Sequence, residues 1–390
     1  MPGMWDRGGV ASYIRRVSAA QRSLGHEIIY FDLLPRQSDR IGNDESIDYL
    51  DNETDLPQRA RARQVEILHL HLGVTHLPSN FVPLIRTVHG HQPYCPSGSR
   101  FLRRSGRACN RNYSAAGCLW GHFADRCGSV RPHKLLDDFR RTWNERRTLT
   151  NIRVVTVSQF IKDQMVSSGY RAEWIDVLHL PGPDRKNPAF PFGQSEPHFL
   201  FLGRITNEKG VAWLLRSLKE TKVRSLLTIA GSGPQERKMR ALCADLELND
   251  RVTFLGWVDA ETVQGLLAKS TALVFPSVWH EPGGTVAMEA MVNARAVIMS
   301  RVGGMPEVIQ EGVNGLLVEP NDITGLAEAM DQLASDPEAA RRLGDAGLAL
   351  ATTRYSLEHH VAELLRLYRE SISVFESGQV CSDTIAQATL

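Results

Sequence analysis

Apolar positions along the chain fall into two series of short runs, each run followed by a polar or glycine-rich turn. In the first half, Gly25 to Asp32, Val65 to His71, Leu84 to Val88 and Val154 to Ser158 read as strands. The second half gives His198 to Leu202, Leu226 to Ala230, Arg251 to Val258, Ala272 to Phe275, Ala296 to Met299 and Gly315 to Val318. Several of these runs are apolar throughout, as expected of parallel strands buried on both faces. Helical patterns lie between them: Ala11 to Val17, a helix from near Gln159, Val211 to Leu215, one entered near Gly283 and Gly284, and helices running to about Ser371. Strand and helix in alternation, in two successive cycles, predict an α/β fold of two domains.

The expected units are residues 1–183, with an insert over 92–149 where the alternation breaks, and residues 196–355. A helix over 356–375 and a disordered tail over 378–390 follow. Leu180 to Pro197, dense in proline and glycine, reads as the linker, and the polar stretch from about Gln37 to Pro57 reads as loop. An α/β domain ordinarily opens on a buried strand. This chain opens on Pro2 to Val10, a glycine loop leading into a helix, so the first strand is expected to be missing. Either the chain begins late or the domain folds around an empty central position.

Composition narrows the class. A chain of 390 residues, 42% hydrophobic and 23% charged with a net charge of +1, is expected to be globular and soluble, not disordered or a general nucleic-acid binder. No apolar run approaches the roughly 20 residues of a membrane span. Met1 to Asp6 lacks the apolar region of a signal peptide, so the cytoplasm is the expected compartment. Cys95, Cys109, Cys118 and Cys127 lie in the insert, where a reducing compartment favours free thiols or a metal over disulfides. With His122 or Cys127 as the fourth ligand they could surround a structural zinc ion, though the compact pairs of strong zinc motifs are absent. The insert also carries twelve Arg and Lys, among them Arg103, Arg104 and Arg126, against four Asp and Glu. Such charge is either a solvated face or a patch for phosphates or an anionic membrane surface.

Candidate chemistry gathers at the ends of the strands. Phe275 to Glu289 forms a strand, a loop and a helix entered through Gly283, Gly284 and Thr285. The first-turn amides and dipole of a helix make an anion site, and glycines let a phosphate approach. Glu281 and Glu289, eight positions apart, could then hold hexose and ribose hydroxyls; otherwise they are ordinary surface acids. Gly203, Arg204 and Lys209 stand at another strand end, a bidentate fork and a mobile cation suited to a diphosphate, or else two surface cations. His89, after Leu84 to Val88, is placed to face a cleft. Gly231-Ser232-Gly233-Pro234 is only a partial dinucleotide fingerprint.

Together, Gly8-Gly9, His89, Ser158, Gly203-Arg204 with Lys209-Gly210, Gly231 to Pro234, Glu281 to Glu289 and Gly303-Gly304-Met305-Pro306-Glu307 resemble the retaining glycosyltransferases of the GT-B fold, family 4. The resemblance covers nearly the whole chain. It implies two Rossmann-like domains facing across a cleft, with the last helix crossing back to the first domain. It further implies that Arg204 and Lys209 hold the donor diphosphate, Gly9 contacts phosphate, Glu281 the donor sugar, Glu289 the ribose, and His89 the neighbourhood of the transferred sugar. No Asp-x-Asp pair occurs, and no cofactor beyond a nucleoside-diphosphate sugar is expected. The implied acceptor is a glycan or a lipid-diphosphate-linked saccharide, with peripheral contact at the inner face of the membrane and no nucleic acid. A nucleotide-sugar epimerase and an inactive nucleotide-sugar-binding scaffold are the competing readings.

Overall fold

The computed structural model describes residues 9–33, 47–73, 81–150, 152–183 and 196–377. The Pro2 to Gly8 loop, most of the linker and the tail from 378 lie outside them. The first half runs α1 (Gly9–Ser23), β1 (Tyr30–Leu33), β2 (Ile47–Leu50), α2 (Leu56–Ala62), β3 (Leu68–Leu70), β4 (Leu84–Val88), β5 (Phe101–Leu102), β6 (Arg107–Ala108), α3 (Ala115–Ala124), α4 (Pro132–Leu149), β7 (Arg153–Thr156), α5 (Gln159–Ser167) and β8 (Ile175–Val177). The second half runs β9 (His198–Leu202), α6 (Val211–Glu220), β10 (Leu226–Ala230), α7 (Glu236–Asp245), β11 (Val252–Gly256), α8 (Ala260–Lys269), β12 (Ala272–Phe275), α9 (Thr285–Val292), β13 (Ala296–Ser300), α10 (Met305–Val308), β14 (Leu316–Val318), α11 (Ile323–Ser335), α12 (Pro337–Thr352) and α13 (Leu357–Glu376).

In the second half, six parallel strands lie in the order β11-β10-β9-β12-β13-β14. Every residue of β12 and β13 is buried, because helices cover both faces of the centre, whereas β11 alternates as an edge strand does. Chain order runs outward in one direction from β9 and in the other from β12. The crevice beyond the carboxyl ends of these two neighbours is therefore the switch point at which open α/β sheets bind ligands.

The first half holds a parallel sheet ordered β3-β4-β7-β8, and β1 pairs with β2 in a separate parallel sheet. Among the described residues the two sheets are not joined by strand pairing. Of the Gln37 to Pro57 loop, residues 37–46 lie outside the described residues and the remainder requires correction. Ile47–Leu50 is a strand and Leu56 opens a helix with Pro57 in its first turn. Asp48 and Tyr49 had broken the apolar run. The insert likewise has structure of its own, a β5-β6 hairpin followed by α3 and α4.

α13 returns to the first half. Its Val361, Leu364 and Leu367 share a core with Tyr13, Ile14 and Val17 of α1 and with Ile85 and Val155 of the sheet. Ser356 caps it by accepting from the His359 amide, and Glu370 pairs with Arg153 at 2.7 Å.

Candidate functional site

The loop leaving β9 passes Gly203 and reaches α6 through Gly210, whose φ is +71°. A Cβ at Gly210 would fall 1.8 Å from the carbonyl oxygen of Pro276, so only glycine lets α6 start against the end of β12. The Val278 amide then donates to the Glu208 carbonyl at 2.9 Å, fastening the two strand-end loops together. The fastening brings Lys209 and Glu281 into contact.

Lys209 Nζ lies 2.6 Å from Glu281 Oε1 and stands over the rings of Phe275 and Trp279 at 5.0 and 5.2 Å. Ser277 Oγ reaches the same carboxylate oxygen at 2.6 Å. Glu281 is buried, and its carbonyl accepts from the Gly304 amide at 2.8 Å. Gly303, at φ +58°, lies so close that a Cβ would come within 2.4 Å of the same carbonyl oxygen. Glu281 is thus held by its carboxylate to the loops following β9 and β12 and by its backbone to the loop following β13. Arg204 is exposed, and its guanidinium has no ion pair among the described residues.

α9 begins at Thr285 with Gly284 as its N-cap, one residue later than the sequence suggested. A Cβ at Gly283 would meet Val157 and Leu180 at 3.4 Å, so this helix entrance faces the end of β7. Glu289, half-buried on α9, has its pKa pushed up to about 7 by burial, and Arg16 of α1 draws it partly back. Gly9 is the first residue of α1.

The opposite wall comes from the first half. His91 Nε2 donates to the His280 carbonyl at 2.8 Å, which leaves Nδ1 to accept from the Tyr94 hydroxyl at 2.6 Å. That tautomer is neutral, in keeping with a pKa lowered by burial to about 3. From the insert, the Ser99 carbonyl accepts from the Trp279 indole, and Asn110 Oδ1 accepts from His280 Nε2 at 2.7 Å. Glu307, after β13, accepts from the amides of Gln159 and Phe160 at the start of α5 and from His179 Nε2.

His89 is placed differently. It pairs with His71 at 3.2 Å and lies edge-on to buried Tyr13, within a half-buried cluster that continues through His69 and Tyr368. Burial lowers its pKa to about 3. The structure brings Lys209 together with Glu281, and Glu289 near Arg16, but it gives His89 no contact with either acid. Cys95, Cys109, Cys118 and Cys127 are free thiols. Cys95, Cys109 and Cys118 all act on the Cys127 thiol electrostatically, and among the described residues no group of three or more His, Cys, Asp or Glu side chains is arranged to hold a metal ion.

Ser277, Trp279, His280, His91, Arg16 and Glu307 are site residues to which the sequence assigned no role. Trp279 and His280 stand in the Phe275 to Glu289 stretch itself, and Glu307 ends a recognisable glycine motif. Their partners lie more than 100 residues away for Trp279, His280 and Glu307, a relation no local pattern carries.

Residues 184–349 match the family model described as glycosyl transferases group 1. The chain is 30% identical over 238 residues to an uncharacterized glycosyltransferase of Methanocaldococcus jannaschii, covering 57% of this chain and 61% of that one. It is 34% identical over 244 residues to the alpha-maltose-1-phosphate synthase of Mycolicibacterium smegmatis, covering 56% and 62%. These matches span about three-fifths of each relative's length. Among solved structures, sucrose-phosphate synthase from Thermosynechococcus elongatus superposes with a TM-score of 0.70 at 20% identity over 94% of both chains. The architecture is therefore that of the GT-B glycosyltransferases. Arg204, Lys209, Glu281 and Glu289 all lie within the segment that matches the glycosyl transferases group 1 model.

Proposed function

We propose that this protein is a retaining hexosyltransferase of glycosyltransferase family 4. It moves a sugar from a nucleoside-diphosphate sugar to a glycan or lipid-diphosphate-linked acceptor, in bacterial cell-surface polysaccharide synthesis at the inner face of the membrane. The observation that carries this reading is the Lys209–Glu281–Ser277 contact at the switch point between β9 and β12, inside the group 1 domain.

In this reading Arg204 and Lys209 take the donor diphosphate, beside Gly203 and the helix entrance formed by Gly283, Gly284 and Thr285. Gly9 meets the phosphates from the other side. Lys209 already stands against Glu281, so an arriving diphosphate shares this cation and leaves the carboxylate to accept from sugar hydroxyls. Glu289 accepts from the ribose. His89 borders the transferred sugar, through the end of β4.

The reaction breaks the bond from the anomeric carbon to the phosphate oxygen and forms one to the acceptor oxygen on the same face. The acceptor's proton passes to the leaving phosphate oxygen. Arg204 and Lys209 stabilise the charge that develops there, so no divalent metal is required.

Release of nucleoside diphosphate from a panel of UDP-, GDP- and ADP-sugars tests the reading, with the anomeric configuration of the product read by NMR. Turnover of one donor, unchanged by EDTA and giving retained configuration, is expected. Failure to bind any donor overturns it, and binding without turnover across lipid-linked and soluble acceptors favours a scaffold.

A further inference from the structure

Large apolar side chains are exposed at twelve described positions, and six of them fall between Leu119 and Trp143. The source is local. α3 carries no charged residue, and a helix of that composition ordinarily turns its apolar stripe to the core. Here Leu119, Trp120 and Phe123 point outward, with Trp120 68% exposed, while only Gly121 and His122 are buried. On α4, Leu136 and Trp143 are exposed on one helical face that they share with Arg140 and Arg147.

Cations border this apolar face. Arg103, Arg104 and Arg126 line an open groove of about 990 Å³ together with Phe123, Gly128, Ser129 and Val130. The acids of the insert do not offset them. Asp125 pairs with Arg111 at 2.6 Å, Glu145 is buried against Arg86, and Asp138 is buried, which leaves Asp137 exposed.

We propose that this face docks the protein on an anionic lipid bilayer, with Trp120 and Phe123 entering the headgroup boundary and Arg103, Arg104 and Arg126 meeting lipid phosphates. Aromatic and aliphatic side chains on short helices, ringed by arginines, match the two chemistries of that boundary, apolar below and anionic at its edge. No described helix is long and apolar enough to cross a membrane, so the contact is one of lying on the surface. The inference deepens the placement at the inner face of the membrane proposed above by naming the surface that makes the contact, and vesicle binding is read apart from donor turnover.

Co-sedimentation of the full chain with sucrose-loaded vesicles tests it, comparing phosphatidylcholine alone with phosphatidylcholine containing phosphatidylglycerol. The chain is expected to bind the anionic vesicles and not the neutral ones. Replacing Arg103, Arg104 and Arg126 with Ala together should weaken binding about 100-fold. Trp120→Ser with Phe123→Ser should weaken it by at least about ten-fold, taking the loss of two inserted rings, while Val313→Ser, at a distant exposed site, leaves it unchanged. Circular dichroism and nucleoside-diphosphate release by each variant report folding and activity separately. Equal binding by all variants, no binding by the parent chain, or a dimer in sedimentation velocity that the Trp120/Phe123 pair of substitutions dissolves would each overturn the proposal.

Discussion

Lys209 Nζ and Glu281 Oε1 lie 2.6 Å apart in a buried setting, whereas Arg204, five residues earlier, is exposed without an ion pair among the described residues. Two cations assigned to one diphosphate thus have different structural costs. Arg204→Ala should lower kcat by about 100-fold or more, as the loss of one charge-stabilising donor does, with almost no change in thermal midpoint. Lys209→Ala should lose turnover and also about 1–3 kcal/mol of stability, because Glu281 keeps its burial and loses its cation. Nucleoside-diphosphate release and calorimetry separate the two. Retained turnover in Arg204→Ala would remove that residue from the site.

Glu289 titrates near pH 7, pushed up by burial and drawn partly back by Arg16. Its ionised form is the better acceptor for ribose hydroxyls. Donor KM should therefore rise as pH falls from 8 to about 6, and Glu289→Gln should flatten that profile. The sign for stability is opposite: the folded chain holds this proton more tightly than the unfolded one, so the group's contribution weakens as pH rises from 4.5 towards 7. Glu289→Gln should accordingly make the thermal midpoint less dependent on pH in this window.

Burial would raise the pKa of Glu307, but the hydrogen bonds from His179 and from the Phe160 and Gln159 amides outweigh it and hold the carboxyl below its usual range. Stability from this group is present above the ordinary value of 4.5 and is lost as pH falls through the lower folded value. Glu307→Gln should lower the thermal midpoint by roughly 2–4 °C at pH 7, and the difference should close in acid. A constant difference down to acid pH would mean that the carboxylate charge contributes nothing there.

Arg86 and Glu145 form a buried pair at 3.4 Å, tying α4 of the insert to β4. Glu145→Ala leaves the buried guanidinium without a counter-charge, donating to the Leu70 and Thr87 carbonyls, and should cost about 3–5 kcal/mol in denaturant unfolding. Arg86→Met together with Glu145→Leu should recover most of that loss. A double variant as unstable as the single one would show that packing, not charge, sets the cost.

The second half of the fold was legible because its central strands are buried on both faces. Phe199 to Leu202, Ala272 to Phe275 and Ala296 to Met299 had to be apolar throughout, and a continuous apolar run is easily read. β2 and β8 were not, because Asp48 and Asp176 interrupt strands of four and three residues. The insert hid its helices for another reason: α3 presents its apolar side outward, so its pattern does not mark a core-facing element. Within the site, Arg204, Lys209, Glu281 and Glu289 follow from residue type at strand and helix ends. The link from Trp279 to Ser99 does not, since it joins residues 180 positions apart through a backbone carbonyl that every residue possesses.

That link, with His91 to the His280 carbonyl and Asn110 to His280, crosses from one half of the molecule to the other immediately before Glu281 in the chain. The carboxylate is therefore positioned partly by its neighbour's domain. Separating the halves would break these three hydrogen bonds and loosen the segment that presents it. Any molecule that binds between the halves and tightens the three links must tighten the grip on a ligand of Glu281, and that ligand must strengthen the first molecule's binding by the same factor. Occupancy on one side of the cleft is thereby felt on the other as a shared equilibrium constant.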